Sequence, residues 1–76
     1  MEVVVGRVYR HFKGDYYIVE NIAIHSETGE KMVIYRALYG EGKVYARPYD
    51  KFVEKVNKGE QEYRFQLQEI DSVVKK

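Results

Sequence analysis

His25-Ser26-Glu27 is the stretch whose residue types could most readily do chemistry, because histidine and glutamate both bind zinc and transfer protons. The same His-x-Glu spacing occurs in zinc deaminases, but their Pro-Cys-x-x-Cys partner motif cannot exist in a chain without cysteine. A metal site needs two or three converging ligands, and the only other histidine is His11. We therefore interpret both histidines as polar residues of turns or strand ends, and we predict no metal site.

Two further stretches resemble nucleotide-binding motifs only in part. Gly40-Glu41-Gly42 is a lone Gly-x-Gly, and a dinucleotide fingerprint needs a third glycine where Tyr45 stands and a helix after it. A hairpin turn is the better interpretation. The stretch 13–19 resembles an RNA-binding strand, but Asp15 and Tyr16 occupy places where that motif needs an aromatic and a small residue. We interpret it as a turn followed by a strand.

Nucleophilic catalysis has no support in the sequence. Neither Ser26 nor Ser72 lies in a Gly-x-Ser-x-Gly elbow. The carboxylates are spread among turns and the tail, where solvated charges are expected. A domain this small also has difficulty enclosing a pocket of a few hundred Å³. We find no catalytic motif, and we expect no cofactor and no enzymatic activity.

Aromatic and basic residues form the strongest candidate ligand site. Tyrosine and arginine are the residue types that most often anchor binding sites, and tyrosine rings can stack on bases or on proline rings. The candidate ligand-binding residues are Tyr9, His11, Tyr16, Arg36, Tyr39, Tyr45 and Arg47. The alternative is that these tyrosines are ordinary half-buried residues of a small sheet, with both arginines in surface ion pairs.

Length and charge limit the classes of function. The chain has 76 residues, 45% of them hydrophobic, and a formal charge of +1. We expect one domain over 1–76, with its core at about 6–67 and a tail over 68–76. The near-neutral charge does not favour nucleic acid, although it leaves that partner open. The sequence has no basic stretch followed by an apolar run of signal-peptide length, and no apolar segment long enough to span a membrane. We therefore expect a cytoplasmic protein that does not bind membranes. The oligomeric state stays open.

Five strands with tight turns are predicted by alternation and turn residues, over 7–12, 16–25, 31–39, 43–47 and 63–67. The alternation of the second strand changes phase, which predicts a β-bulge near Glu20-Asn21. In the third strand we place Val33, Tyr35 and Ala37 inward, because Arg36 then reaches solvent.

A single helical turn is expected over 49–52, where Phe52 and Val56 could close one end of the sheet. Residues 57–60 read as another turn. The apolar spacing of Leu67, Ile70, Val73 and Val74 predicts an amphipathic helix in the tail. Together these elements indicate a mainly β protein, a small SH3-like five-stranded antiparallel barrel. An OB-fold is the alternative, but it needs a longer chain and a helix between its third and fourth strands.

Four phrases of the sequence resemble one family in matching order: YRHFKG at 9–14, HSETGE at 25–30, YRALYG at 35–40, and Arg47-Pro48 through Phe52. It is the bacterial family of small SH3-like domains catalogued as domain of unknown function 1653. The resemblance runs from about Gly6 to Phe65, and Tyr45 stands where members more often carry tryptophan. It implies the barrel and no defined activity.

The sequence thus leaves three hypotheses open. The first is a binding module whose tyrosine and arginine face recognises a peptide or protein partner, with a nucleic-acid-binding accessory domain as its alternative form. The second is a structural subunit that assembles through an edge strand or the tail. The third, for which the sequence offers least, is a small enzyme or accessory domain that uses His25 or His11.

Overall fold

The computed structural model describes residues 1–69, which form a mainly β domain, as predicted. Its elements are β1 (Val8–His11), β2 (Tyr16–Ile24), β3 (Lys31–Ala37), β4 (Val44–Pro48), α1 (Tyr49–Phe52), β5 (Lys55–Lys58), β6 (Gln61–Tyr63) and β7 (Phe65–Leu67). An antiparallel sheet has the strand order β4-β3-β2-β1-β7, and β5 pairs with β6 in a separate ribbon. Within residues 1–69, β4 and β7 remain the two edges, so the sheet does not close into a barrel. The narrower SH3-like assignment stays a prediction.

A bulge bends β2, as the change of phase predicted. The register of β2 against β3 shifts between Val19 and Asn21. Before the shift Val19 is opposite Tyr35, and after it Ile22 is opposite Val33. The extra residue therefore keeps Val19 and Ile22 on one face of a strand that would otherwise send them to opposite faces.

The core lies on one face of the sheet and is covered by the N-terminal segment and α1. Val33, Tyr35 and Ala37 are buried, which confirms the predicted inward face of β3. Pro48 precedes α1 with a φ of −55°, and the single turn that follows brings Phe52 over the sheet, where it is fully buried. Its ring stacks on Phe65 at 4.1 Å between centroids.

The predicted end of the domain differs in detail from the observed one. The turn expected over 57–60 is confined to Gly59 and Glu60, because β5 continues through Lys58. Asn57, with a left-handed φ of 51°, lies where the register of β5 against β6 is irregular, between Lys55 and Lys58. The strand predicted over 63–67 is divided at Arg64 into the end of β6 and β7.

The C-terminal helix prediction falls mostly outside the described residues. Leu67 belongs to β7, and 70–76 lie beyond the range that the structure describes. Val56, expected beside Phe52 at the end of the sheet, is half-buried in β5. In residues 1–69, no helix has the length and apolar character required to cross a membrane.

Candidate functional site: an aromatic face beside the core

The core-facing side of the sheet is covered over only part of its area. The strand registers set Tyr9 opposite Tyr17, Tyr35 opposite Tyr45, and His11 opposite Phe65, so all these side chains share that side. Val3 and Phe52 cover one half. On the other half Tyr39 and Tyr45 are 44% and 40% exposed, and His11 and Tyr17 are half-buried. We call this uncovered half the aromatic face, defined by His11, Tyr17, Tyr39 and Tyr45.

Tyr17 is the centre of the aromatic face. Its ring meets each neighbour edge to face, at centroid distances of 5.3 to 6.5 Å. The neighbours are Tyr35, Tyr39, Phe65, Tyr45 and His11. Edge-to-face pairs within this range are favourable, because the positive edge of one ring meets the negative face of another. The rings therefore hold one another in place before any ligand arrives.

A hydrogen bond between two hydroxyls joins Tyr17 to Tyr39, with 2.8 Å between the oxygens. Burial raises the pKa of Tyr17 above its ordinary value, and the bond to Tyr39 raises it further. Tyr17 is therefore uncharged at neutral pH. One hydroxyl of the pair uses its proton in the bond, which leaves the other hydroxyl with a proton to donate to a ligand.

His11 offers a second neutral donor. Its Nδ1 accepts a hydrogen bond from the backbone N–H of Lys13 at 3.1 Å, so the proton of the neutral ring is on Nε2. Burial lowers the pKa of His11, and the positive charges of Arg64, Arg47 and Lys13 lower it further. The imidazole is therefore neutral at physiological pH.

Arg47 supplies positive charge at the border of the aromatic face. Its Nε donates to the hydroxyl of Tyr35 at 3.1 Å, and its Cζ lies 5.6 Å from the centre of the Phe65 ring. These contacts fix the plane of the guanidinium. Among residues 1–69, Arg47 forms no ion pair, so its terminal nitrogens retain their capacity to bind a carboxylate.

A groove of about 260 Å³ extends the aromatic face to the edge of the sheet. Its lining residues are Ala37, Tyr39, Glu41, Lys43 and Tyr45. The loop between β3 and β4 forms one wall, and it turns at Gly40 and Gly42, which both have positive φ. The hairpin turn predicted for Gly40-Glu41-Gly42 is thus confirmed, and it positions Tyr39 against Tyr17.

The seven candidate residues of the sequence separate into three groups. His11, Tyr39, Tyr45 and Arg47 come together at the aromatic face. Tyr9 is 1% exposed in the core, where burial raises its pKa and its hydroxyl accepts from the backbone N–H of Val4 at 2.9 Å.

Tyr16 and Arg36 lie on the opposite side of the sheet. Tyr16 is 42% exposed and lies opposite Arg10, and strand alternation sets both side chains on the side of the sheet that faces away from the core. The Nε of Arg36 donates to a carboxylate oxygen of Glu20 at 2.7 Å, and Nη1 donates to the carbonyl of Gly42 at 2.9 Å. Arg36 thereby fastens the β3–β4 loop to the sheet.

Three rings of the network around Tyr17 did not appear among the candidate ligand-binding residues. Tyr17 itself is the centre, and Tyr35 and Phe65 are the buried rings that it contacts. The signal for Tyr17 was present in the sequence, because it precedes the buried Val19 by two positions in a regular part of β2. Phe65 carried no such signal, since its strand is short.

His25 takes part in the β2–β3 turn. Its Nδ1 accepts from the backbone N–H groups of Glu27 and Thr28 at 3.2 and 3.3 Å, and the backbone N–H of His25 donates to the carbonyl of Glu30 at 2.8 Å. The residues of 1–69 include no group of three or more histidine, aspartate or glutamate side chains arranged to hold a metal.

Comparison with known proteins assigns the family. No match to this chain was found among curated proteins. A crystal structure of a DUF1653 protein from Bordetella bronchiseptica is similar, with 33% sequence identity, a TM-score of 0.73, and coverage of 83% of this chain and 85% of that chain. The family model described as "Protein of unknown function (DUF1653)" matches residues 7–67, a span that contains every strand described above. The chain therefore belongs to the DUF1653 family, as the four matching phrases predicted.

Proposed function

We propose that this protein is a non-enzymatic binding module, and that the aromatic face binds a peptide segment of a protein partner. The observation that supports the proposal is the uncovered half of the core-facing side of the sheet. Tyr39 and Tyr45 remain 44% and 40% exposed there, although they touch the ring network that continues into the core. Rings that are already fixed lose little conformational entropy on binding, so most of the free energy of their contacts with a ligand contributes to affinity.

A peptide suits the chemistry of the aromatic face better than a nucleic-acid strand does. The face offers apolar ring surface and neutral O–H and N–H donors, which fit proline or aliphatic side chains and backbone carbonyls. A single strand of nucleic acid needs a continuous basic track. Glu41 lines the groove beside Lys43, and the whole chain has a formal charge of only +1.

Selection of peptides from a random display library tests the proposal, followed by affinity measurements on the selected peptides. Tyr45→Ala and Tyr39→Ala should each weaken binding by about 10- to 30-fold, the effect of removing an aromatic anchor. Tyr16→Ala is the matched control, because Tyr16 is 42% exposed on the opposite side of the sheet. We expect Tyr16→Ala to change affinity by less than about twofold.

Three results would contradict the proposal. The first is a library selection that enriches no peptide, and the second is an equal loss of affinity for Tyr16→Ala and Tyr45→Ala. The third is an oligonucleotide that shifts the amide signals of the aromatic face at physiological salt with a Kd below about 1 μM, tighter than ordinary non-specific binding.

A further inference from the structure

The free edge of β4 lies beside the aromatic face. The backbone N–H of Ala37 donates to the carbonyl of Lys43 at 2.9 Å, so Ala37 and Lys43 form a hydrogen-bonded pair at the end of the β3–β4 ladder. Hydrogen-bonded and non-hydrogen-bonded pairs alternate in an antiparallel ladder. Tyr45 and Arg47 therefore turn their backbone groups toward β3, and Val44 and Ala46 turn theirs away from the sheet.

The stretch from Val44 to Ala46 on this edge lacks the usual protection against strand pairing, and the charges of Lys43 and Arg47 flank it. Natural edge strands carry charges, prolines or bulges that discourage another chain from pairing. Val44, Tyr45 and Ala46 are uncharged, all three are exposed, and Pro48 comes only at the end of the strand. The other edge differs, because β7 is three residues long and contacts β6. The backbone of β4 is thus a template on which a further strand can form.

Charge is arranged regularly along the same edge. Lys43, Tyr45 and Arg47 alternate with the two residues whose backbone faces outward, and they share the side of the sheet that carries the aromatic face. An added strand would therefore meet a cation, a tyrosine ring and a second cation at every other position. Opposite charges in such cross-strand positions stabilise the pair, and like charges destabilise it.

We propose that the partner peptide binds as an added β-strand along β4, with an acidic residue opposite Lys43, an apolar residue on Tyr45 and an acidic residue opposite Arg47. This inference rests on the proposed function and specifies its binding mode. The backbone groups of Val44 and Ala46 hold the peptide main chain, and the alternate side chains give sequence preference. The pattern acidic-x-apolar-x-acidic is symmetric, so it applies to either direction of the added strand.

A second copy of this protein fits the edge poorly when Tyr45 pairs with Tyr45. Self-pairing of β4 centred on Tyr45 would set Lys43 opposite Arg47 of the other molecule and Arg47 opposite its Lys43. Both pairs are repulsive, so the charges that favour an acidic peptide oppose a dimer in this register.

Short synthetic peptides with an Asp-x-Leu-x-Asp centre test the inference against matched peptides with Lys in place of each Asp. Fluorescence polarisation should show at least about tenfold tighter binding of the acidic peptide at low salt, and the difference should shrink as added salt screens the exposed charges. In the variant Lys43→Glu, the acidic peptide should bind less tightly. A peptide with Lys at the position opposite residue 43 should recover the affinity.

Ala46→Pro tests the role of the backbone. Proline at this position removes an N–H that points away from β3, so the β3–β4 ladder stays intact. The acidic peptide should bind about 3- to 10-fold less tightly, as expected for the loss of one hydrogen bond. Thermal unfolding of the variant shows whether it folds, and the charge exchange at Lys43 provides an independent test if it does not.

The possible results separate the binding mode from the proposed function. If Tyr45→Ala weakens peptide binding but Ala46→Pro and the charge exchange do not, the peptide crosses the aromatic face without joining β4, and only this inference is overturned. If no designed or selected peptide binds, both proposals are wrong. A dimeric mass that Ala46→Pro converts to a monomer would assign the edge to a second copy and overturn the inference.

Discussion

Gln61 joins the β5–β6 ribbon to the main sheet, so its replacement should be among the most damaging changes to a polar side chain in the described part of the chain. The residue is 7% exposed. Its Oε1 accepts from Nη1 of Arg10 at 2.7 Å, and its Nε2 donates to the carbonyls of Arg10 and Tyr63, both at 3.0 Å. Gln61→Ala removes these three bonds and a longer one from Nε2 to the carbonyl of Arg64 at 3.4 Å, and it leaves each partner short of one bond.

The expected decrease in the free energy of unfolding follows from these hydrogen bonds. A hydrogen bond to a charged group contributes about 1.5–3 kcal/mol and a neutral one about 0.5–1.5 kcal/mol. Because the arginine and the carbonyls regain some bonds to water, we expect a decrease of about 3 kcal/mol in the free energy of unfolding. That is a large part of the roughly 4–11 kcal/mol expected for a domain of this length. The melting temperature should fall by about 12–24 °C.

Urea unfolding followed by circular dichroism measures this loss. Gln66→Ala is the matched control, since Gln66 is an exposed glutamine on β7, and it should change stability by less than about 0.5 kcal/mol. Gln61→Met keeps the length of the side chain without its hydrogen bonds, and it should be nearly as unstable as Gln61→Ala. A stability of Gln61→Met or Gln61→Ala equal to that of the natural protein would refute the reasoning.

Two other predictions concern His11 and Asn57. Because burial and nearby cations lower the pKa of His11 in the folded state, the unfolded chain binds the proton more readily, and stability should decline as pH falls below about 6.5. His11→Gln should flatten this decline in urea unfolding measured across that range, and an unchanged slope would contradict the assignment. Asn57 has a φ of 51°, so Asn57→Val should destabilise the domain by about 1–2 kcal/mol while Asn57→Gly has little effect. Equal stability of these two variants would show that the left-handed backbone is not retained in solution.

Most of the main sheet could be predicted because its strands alternate strongly. The change of phase in β2 indicated the bulge, and the position of Arg36 indicated which side of β3 faces inward. β5 could not be predicted in the same way, since Lys-Val-Asn-Lys is polar and short. Its position depends on contacts distant in sequence, such as the bonds between Gln61 of its partner strand β6 and Arg10 of β1. Such contacts leave no local pattern.

The candidate site could be predicted in composition but not in arrangement. Tyrosine and arginine content indicated a binding face, and four of the candidate residues meet there. Tyr16 and Tyr17 are adjacent and of the same type, and only the register of β2 decides which of them joins the aromatic face. The strand predicted over 31–39 ends at Ala37, so Tyr39 lies in the loop, whose path sets its direction in place of strand alternation.

The bulge in β2 has a consequence for how homologous chains can differ in length. If Glu20 were deleted, Val19 and Ile22 would be separated by one residue, which is the spacing of neighbours on the same face of a regular strand. Both side chains would still point to the core, and every later residue would keep its side. A one-residue deletion in the regular parts of the strand, away from the bulge, would exchange the two sides of all that follows. Loss of Glu20 would instead straighten β2 and remove the carboxylate that holds Arg36. Gaps in an alignment of the family should therefore be tolerated at this position more readily than elsewhere in β2.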